Sequence, residues 1–152
     1  MRYLTGGEVA ATLANLVHQE TQQHDYETDL TVGGIFQVTG PGALDFGGSE
    51  YERAGREALE PVKAPPDDKY GWWNLSQGIY LVRFNETVTL AETQIAFVQP
   101  HERLLLAGGQ HPTFYFRGHR EALETSLAVG EAGLRIKENA RLSKLLVLDL
   151  ST

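Results

Sequence analysis

A chain of 152 residues with 41% hydrophobic and 22% charged residues is long enough to bury one core and too apolar to be disordered throughout. It contains no cysteine, which excludes disulfides, thiolate nucleophiles and metal sites built on cysteine. Its net charge of −7 argues against nucleic-acid binding, and no stretch approaches the ~18 apolar residues of a membrane span.

The first residues lack the apolar core and cleavage pattern of a signal peptide. We therefore expect a soluble, cytoplasmic protein that forms a single domain over residues 1–152, without a nucleic-acid or membrane partner. A small anionic ligand stays compatible with the acidic composition, because a few local cations are enough to bind one triphosphate.

A helix is predicted near the N-terminus. Thr5 and Glu8 have the spacing of a capping box, in which each residue satisfies a backbone N–H of the other. Four apolar residues follow at helical spacing, namely Val9, Leu13, Leu16 and Val17. We predict a helix over residues 6–17 that packs on a sheet, followed by a polar stretch.

Short strands and turns are predicted after Tyr26. Residues 29–32 and 35–38 alternate polar and apolar side chains on either side of two glycines, which predicts two strands. Residues 39–48 are rich in glycine and predict a loop. Residues 50–70 are charged and contain three prolines, so we expect an extended or partly mobile connection there.

A second group of strands is predicted in the remainder of the chain, at residues 78–84, 86–90, 94–98, 134–137 and 142–150. Many short strands at close spacing favour a sandwich or barrel over a parallel α/β sheet. The predicted class is therefore all-β.

Four segments, in order, resemble the motifs of a known superfamily. Residues 22–38 resemble its first strand pair, with Asp29 on the first motif, and residues 78–104 lead into its second motif, Pro-Arg-Ser-Ser-Leu. Residues 116–118 are similar to the end of the third motif, and residues 134–148 to the last core segment. The chain thus resembles the dUTPase and dCTP deaminase superfamily, and most of all its deaminase-like branch with an N-terminal helix.

This resemblance implies a distorted dUTPase-like β-barrel of the β-clip type, with one short N-terminal helix. It also implies a homotrimer whose active sites lie at subunit interfaces. Enzymes of this superfamily hydrolyse dUTP to dUMP and diphosphate with Mg²⁺, or deaminate dCTP to dUTP. For this chain, Mg²⁺ is expected only as a companion of a bound triphosphate, and no metal site made by the protein is predicted.

The second motif departs from the family pattern. His101, Glu102 and Arg103 stand where the family has Arg-Ser-Ser, and a glutamate at a phosphate-binding position repels the ligand. Arg103 offers a phosphate contact of its own. Together with Asp29 of the first motif, Arg141 of the last motif and Arg117, it completes the predicted nucleotide-binding set, although an isolated Asp before a strand is more often structural.

The third motif lacks its water-activating aspartate, because either His111 or Thr113 falls on that position. His111 can act as a base near neutral pH. The deaminase pattern carries one proton-transferring glutamate, whose nearest match is Glu124. The predicted catalytic residues are thus Glu124 and His111. A zinc site made by His101, His111 and His119 is a weaker alternative, since hydrogen-bonded surface histidines are commoner.

Three functions are compatible with these residues. The departures in the second and third motifs, and the lack of the family's glycine-rich closing arm before Thr152, favour a divergent, non-catalytic relative that binds a nucleotide in deoxynucleotide metabolism. An active dCTP deaminase or dUTP diphosphatase with a rearranged site is the alternative. A structural or regulatory homotrimer without a ligand is the third.

Overall fold

The computed structural model describes residues 1–151. Its helices are α1 (Gly6–Ala10), α2 (Gln19–Gln22) and α3 (Glu102–Ala107). Its strands are β1 (Arg2–Tyr3), β2 (Leu13–Ala14), β3 (Thr28–Gly40), β4 (Gly55–Ala58), β5 (Trp72–Leu75), β6 (Gly78–Phe84), β7 (Thr87–Thr89), β8 (Gln94–Pro100), β9 (Gly109–Gln110), β10 (Phe114–Phe116), β11 (His119–Arg120), β12 (Glu124–Val129), β13 (Leu134–Lys137) and β14 (Arg141–Asp149). Within residues 1–151, no helix has the length and apolar character needed to span a membrane.

The main sheet has nine strands and is antiparallel throughout. Seven of them follow one another in the order β10-β8-β14-β3-β6-β12-β9, with β1 added to β14 and β4 added to β3. Two smaller sheets, β11-β7-β2 and β13-β5, complete the structure. This curled arrangement confirms the predicted all-β, barrel-like class.

One apolar cluster fills the inside of the curled sheet. Alternation along the strands sends every second side chain inward, and the largest fully buried apolar side chains are Val9, Leu30, Val32, Ile35, Val82, Val88, Val98, Leu127, Leu145 and Val147. Removing such a side chain from water contributes roughly 1.5–3 kcal/mol. The central strands are thereby fixed and present the polar residues described below.

Strand β3 is one continuous strand of 13 residues, where two strands separated by a glycine turn were predicted. Its pairing with β6 shifts register between Val32 and Gly34, which is a β-bulge at Gly33. A Cβ atom at Gly33 would lie 2.6 Å from the Asn85 Oδ1 atom, so any other residue there would force the Asn85 side chain to move. The first part of β3 pairs with β14, and the second part pairs with β6 and β4.

The predicted N-terminal helix is shorter than expected. Its capping box is present, since Thr5 Oγ1 accepts from the Glu8 N–H and Glu8 Oε2 accepts from the Thr5 N–H. The helix ends at Ala10, because Leu13 pairs with Val88 of β7 and Asn15 takes a left-handed conformation with φ of 67°. The prediction of a helix to residue 17 was therefore wrong.

Two short helices and several strands, among them β4, β5, β10 and β12, lie where loops or no elements were predicted. Helix α3 covers the second-motif segment; His101 caps its first turn and Gly108, with φ of 110°, ends it. Helix α2 lies in the polar stretch after residue 17. Residues 55–58 form β4, so part of the predicted connection over 50–70 belongs to the main sheet.

Candidate functional site

Asp29 lies at the centre of a cluster of charged side chains. It is fully buried on β3, and its Oδ2 atom accepts a hydrogen bond from Arg141 Nη1 at 3.1 Å. The His24 Nε2 atom lies 2.8 Å and the His101 Nε2 atom 3.8 Å from the same oxygen. Asp29 Oδ1 has no hydrogen-bond partner among the described residues. One buried carboxylate therefore orients three cationic or titratable groups from different elements.

His101 is the less exposed of the two imidazoles in this cluster, and its pKa is shifted. Burial lowers the pKa of the His101 imidazole, and the neighbouring Asp29 carboxylate opposes that shift without cancelling it. The lowered pKa favours a neutral His101 near pH 7. Its Nδ1 atom accepts a hydrogen bond from the Arg103 backbone N–H at 3.1 Å, so His101 joins the Asp29 cluster to the first turn of α3.

A cavity of about 300 Å³, which we call the cationic groove, begins beside this cluster. Its polar walls are Arg103, Arg135, Lys137 and Arg141, and its apolar walls include Trp72 and Leu104. The Arg135 guanidinium lies 4.5 Å from the centre of the Trp72 ring. No carboxylate lines the groove within the described part of the chain. A chain of net charge −7 thus gathers four cationic side chains and no carboxylate along this groove.

The structure brings together three of the four predicted nucleotide-binding residues. Arg103 and Arg141 line the cationic groove, and Asp29 holds Arg141 from below. Arg117 does not join them, because it lies exposed in the turn after β10 and lines none of the five cavities described for residues 1–151. Arg117 was predicted from its place beside a family motif, but it does not line the groove.

Glu124, a predicted catalytic residue, is surrounded by arginines. Its Oε1 atom accepts a hydrogen bond from Arg53 and its Oε2 atom from Arg56, while Arg83 Nε lies 3.5 Å from Oε2. We call Arg53, Arg56 and Arg83 the arginine cluster. Burial alone would raise the pKa of the Glu124 carboxyl, but the hydrogen bonds from Arg53 and Arg56 outweigh it and lower the pKa below its usual value.

A second cavity, of about 520 Å³, opens beside Glu124. Tyr51, Thr125 and Ser126 contribute hydroxyl-bearing residues to its lining, and Arg53 lies on its wall. In this arrangement Glu124 is ionised and both of its oxygens accept from guanidinium groups. A general base needs a free oxygen and a pKa near the working pH, so the geometry described is that of an anion bound by arginines.

His111, the other predicted catalytic residue, is buried in a hydrogen-bonded position. Its Nδ1 atom lies 2.9 Å from the Pro112 carbonyl oxygen, which can only accept, so Nδ1 carries the proton. Its Nε2 atom lies 2.7 Å from Ser143 Oγ and, in the neutral ring, accepts from that hydroxyl. Burial lowers the pKa of the His111 imidazole, although the bond to Pro112 opposes the shift.

The two predicted catalytic residues border neighbouring cavities. His111 lines a cavity of about 320 Å³ that shares Ser126 with the cavity beside Glu124. Both cavities lie along the outward face of β12, on the side of the molecule where Glu124, Ser126 and Ala128 alternate with buried residues. The structure therefore places Glu124 and His111 on one surface, separate from the residues that line the cationic groove.

The three histidines considered for zinc do not meet. His101 contacts Asp29, His111 contacts Ser143, and His119 Nδ1 lies 2.8 Å from Thr89 Oγ1. Residues 1–151 contain no group of three His, Cys, Asp or Glu side chains able to hold a metal ion.

Glu86 and the arginine cluster were not singled out from the sequence. Glu86 is fully buried and accepts hydrogen bonds from Thr31 N–H at 2.8 Å, Thr31 Oγ1 at 2.6 Å and Gln22 Nε2 at 3.0 Å. Burial raises the pKa of its carboxyl, and these hydrogen bonds oppose the shift. Glu86 ties α2 and β3 to the turn after β6. A glutamate within an alternating apolar run was the available signal for a buried acid.

Comparison with known proteins gives a consistent set of relatives, although no family model matches the chain. A "Probable deoxyuridine 5'-triphosphate nucleotidohydrolase" of Methanosarcina mazei is 35% identical over 142 residues, which cover 92% of this chain and 80% of that protein. The protein of the same name from Methanosarcina acetivorans is 36% identical with the same coverage.

Among solved structures, the 2'-deoxycytidine 5'-triphosphate deaminase from Agrobacterium tumefaciens has the same fold, with a TM-score of 0.67 and 14% identity. The superposition covers 96% of this chain and 48% of the deaminase chain, so this chain spans about half the length of that protein.

Proposed function

Because this chain belongs to the dUTPase and dCTP deaminase superfamily, we propose that it acts on a deoxynucleoside triphosphate, with hydrolysis of dUTP to dUMP and diphosphate as the reaction. The departures in the second and third motifs favoured a non-catalytic relative. Relatives at 35% and 36% identity are named as dUTP hydrolases, and they do not support that preference. Deamination of dCTP is the reaction to be distinguished from hydrolysis.

The observation that carries this proposal is the convergence of Asp29, Arg103 and Arg141 at the cationic groove. Guanidinium groups match phosphate oxygens with paired donors and keep their charge at any physiological pH. Arg141 uses Nη1 for Asp29 and for the Thr21 carbonyl, which leaves Nε and Nη2 without a partner in the described residues. Those free donors, with Arg103, Arg135 and Lys137, would bind the triphosphate.

Magnesium enters this proposal as a companion of the triphosphate. Mg²⁺ is commonly held by one or two carboxylates together with substrate phosphates, and it neutralises phosphate charge there. Asp29 is the carboxylate next to the groove, and its Oδ1 atom lacks a partner in residues 1–151. Because no carboxylate lines the groove and Asp29 is completely buried below it, an ion there would be held by the phosphates and water.

The test is binding and turnover of dUTP and dCTP by the purified protein, with and without Mg²⁺. A ligand at 100 times its Kd should stabilise the protein by about 2.7 kcal/mol, which a thermal melt detects. Diphosphate release from dUTP is the expected result. Ammonia release from dCTP would assign the deaminase reaction, and binding without turnover would return the chain to a non-catalytic role. The absence of any binding would contradict the proposal.

Two variants that make the same chemical change at different places test where the triphosphate binds. Arg103→Gln should weaken dUTP binding about tenfold or more, because a hydrogen bond to a charged group contributes roughly 1.5–3 kcal/mol. Arg117→Gln removes the same charge from an exposed position outside the groove and should leave the affinity within about twofold. Equal effects of the two changes would show that net charge, and not the groove, controls binding.

The catalytic candidates are tested separately from binding. Within one chain His111 and Glu124 lie apart from the cationic groove, so they would act on a triphosphate bound in the groove of a neighbouring subunit, and His111→Ala or Glu124→Gln should then abolish turnover with dUTP binding retained. The predicted homotrimer is part of the same proposal, and light scattering should then give three times the 16.8 kDa mass of one chain.

A further inference from the structure

Three arginines from three places in the chain meet at one glutamate. Arg53 precedes β4, Arg56 lies on β4, and Arg83 lies on β6 directly opposite Glu124 of β12. The cluster therefore holds three positive charges against the one carboxylate of Glu124, and Glu52 adds a second carboxylate on the wall of the adjoining cavity. Arg83 Nε is buried and makes no hydrogen bond within the described residues, although it lies 3.5 Å from Glu124. The carboxylate satisfies only part of the donor capacity around it.

Two of the arginines are positioned by contacts that do not involve Glu124. The guanidinium of Arg56 lies 4.4 Å and that of Arg83 4.8 Å from the centre of the Phe36 ring. Phe36 lies on β3 between Ala58 of β4 and Leu81 of β6 in the strand register. Cation–π contacts with a central strand hold both guanidiniums near their present positions even when the carboxylate is absent.

The remaining arginine and the adjoining cavity leave room for a ligand. The side chain of Arg53 is 58% exposed and precedes the strand, so it can turn without disturbing the sheet. The cavity of about 520 Å³ beside Glu124 is lined by Arg53, by Tyr51 and Ser126, whose hydroxyl groups can donate to phosphate oxygens, and by the carboxylate of Glu52. Such a combination of guanidiniums and hydroxyls matches the donors that bind phosphate groups.

We propose that the arginine cluster is a phosphate-binding site in which Glu124 occupies the anion position until a phosphate group displaces it. A phosphate carries more negative charge than a carboxylate and has more acceptor oxygens, so three guanidiniums favour it over Glu124. The ligand is a phosphate group, either of free diphosphate or of a nucleotide. This site is separate from the cationic groove and does not depend on turnover of any nucleotide.

Calorimetric titration with inorganic diphosphate tests the displacement directly. Glu124→Gln removes the competing charge and should bind diphosphate about tenfold more tightly than the wild type, which corresponds to about 1.4 kcal/mol. Glu57→Gln is the matched control, because Glu57 is exposed on β4 and forms no ion pair among residues 1–151. If Glu124→Gln binds no more tightly than Glu57→Gln, the proposal is wrong.

A second substitution tests whether the gain in diphosphate affinity arises at the arginine cluster. Adding Arg53→Gln to Glu124→Gln should reverse the gain, whereas adding Arg117→Gln should not. In the wild-type background, Arg53→Gln should also weaken diphosphate binding more than Arg117→Gln does, and this comparison does not require the Glu124 variant to fold. A gain that persists without Arg53 would overturn the proposal.

Nucleotide titrations identify the source of the phosphate. A parallel gain for dUTP in Glu124→Gln assigns the site to the nucleotide, and a gain confined to diphosphate and inorganic phosphate assigns it to the free anion. Both results support the phosphate site. Because the measurement is binding, a chain that turns over no nucleotide still tests this inference separately from the proposed function.

Discussion

Arg141 Nη1 lies 3.1 Å from Asp29 Oδ2 and joins the start of β14 to β3 where the cationic groove begins. The carboxylate is completely buried, whereas a quarter of the Arg141 side chain is exposed. Asp29 thus acts from inside the barrel on an arginine that faces the groove. The position of Arg141, and through it the proposed triphosphate site, depends on this pair.

Replacing Asp29 with Asn should lower the free energy of unfolding by about 2–4 kcal/mol, because Arg141 and His24 lose a buried anionic partner. Urea denaturation measures the change. Asp25→Asn is the control, since Asp25 is exposed and forms no ion pair in the described residues, and it should leave the midpoint unchanged. A midpoint for Asp29→Asn equal to that control would contradict a structural role for the pair.

Glu86 should make the folded protein less stable as the pH rises, whereas a carboxyl with a lowered pKa acts in the opposite direction. Burial raises the pKa of its carboxyl in the folded state, so the folded protein holds this proton more tightly than the unfolded chain. Its contribution is then fully present below the unfolded pKa of about 4.3 and is lost as pH rises through the raised folded pKa. The difference in unfolding free energy between wild type and Glu86→Gln should decline over that window.

Urea denaturation of both proteins at several pH values above pH 4 measures this difference. Subtracting the unfolding free energy of the variant from that of the wild type removes the contributions of other carboxylates. Glu124 is one of these, and its lowered pKa acts in the opposite direction. A difference that stays constant with pH would show that Glu86 has the same pKa in both states.

His111 should make the folded protein less stable as the pH falls. Burial lowers the pKa of its imidazole in the folded state, so its contribution is present above the unfolded pKa of about 6.5 and is lost as pH falls through the folded pKa. Wild type should therefore lose stability on acidification relative to His111→Gln. Ser143→Ala removes the hydroxyl bonded to Nε2 but leaves the ring buried, so it should keep the slope. A slope that persists in His111→Gln would assign it to another group.

Removing the charge of Glu102 should strengthen binding of the proposed triphosphate. Glu102 begins α3 next to Arg103, at a place where the family has a serine. Glu102→Gln should tighten dUTP binding by about twofold to fivefold, since an exposed charge contributes up to roughly 1 kcal/mol. Glu131→Gln makes the same charge change on the turn after β12, outside the groove. Equal gains for both variants would point to overall charge.

Much of the fold could be predicted from local patterns. The alternation in residues 78–84 and 134–137 gave strands with the observed bounds, and the Thr5–Glu8 capping box is present. The helix was drawn too long because the apolar spacing of Leu13 fits a helix as well as a strand, and only its partner Val88 decides between them. Long-range pairing therefore overrode a local periodicity.

The candidate site was predicted in part. Family motifs pointed to Asp29, Arg103 and Arg141, which the structure brings together. The arginine cluster was missed, because Arg53 and Arg56 lie in a segment that looked like a connection. That segment joins the sheet only through the pairing of β4 with β3, which no pattern within residues 50–70 reveals.

Because β3 is continuous, it keeps the cationic groove and the arginine cluster apart as two separate anion sites of one chain. Asp29, below the cationic groove, and Phe36, below the arginine cluster, are seven residues apart on this one strand, a span of about 23 Å at roughly 3.3 Å per residue. Three linked phosphate groups are much shorter than that span. The strand thus separates the two places, and one triphosphate tail cannot reach both within a single chain. Each chain should accordingly take up two molecules of diphosphate, in two separable steps.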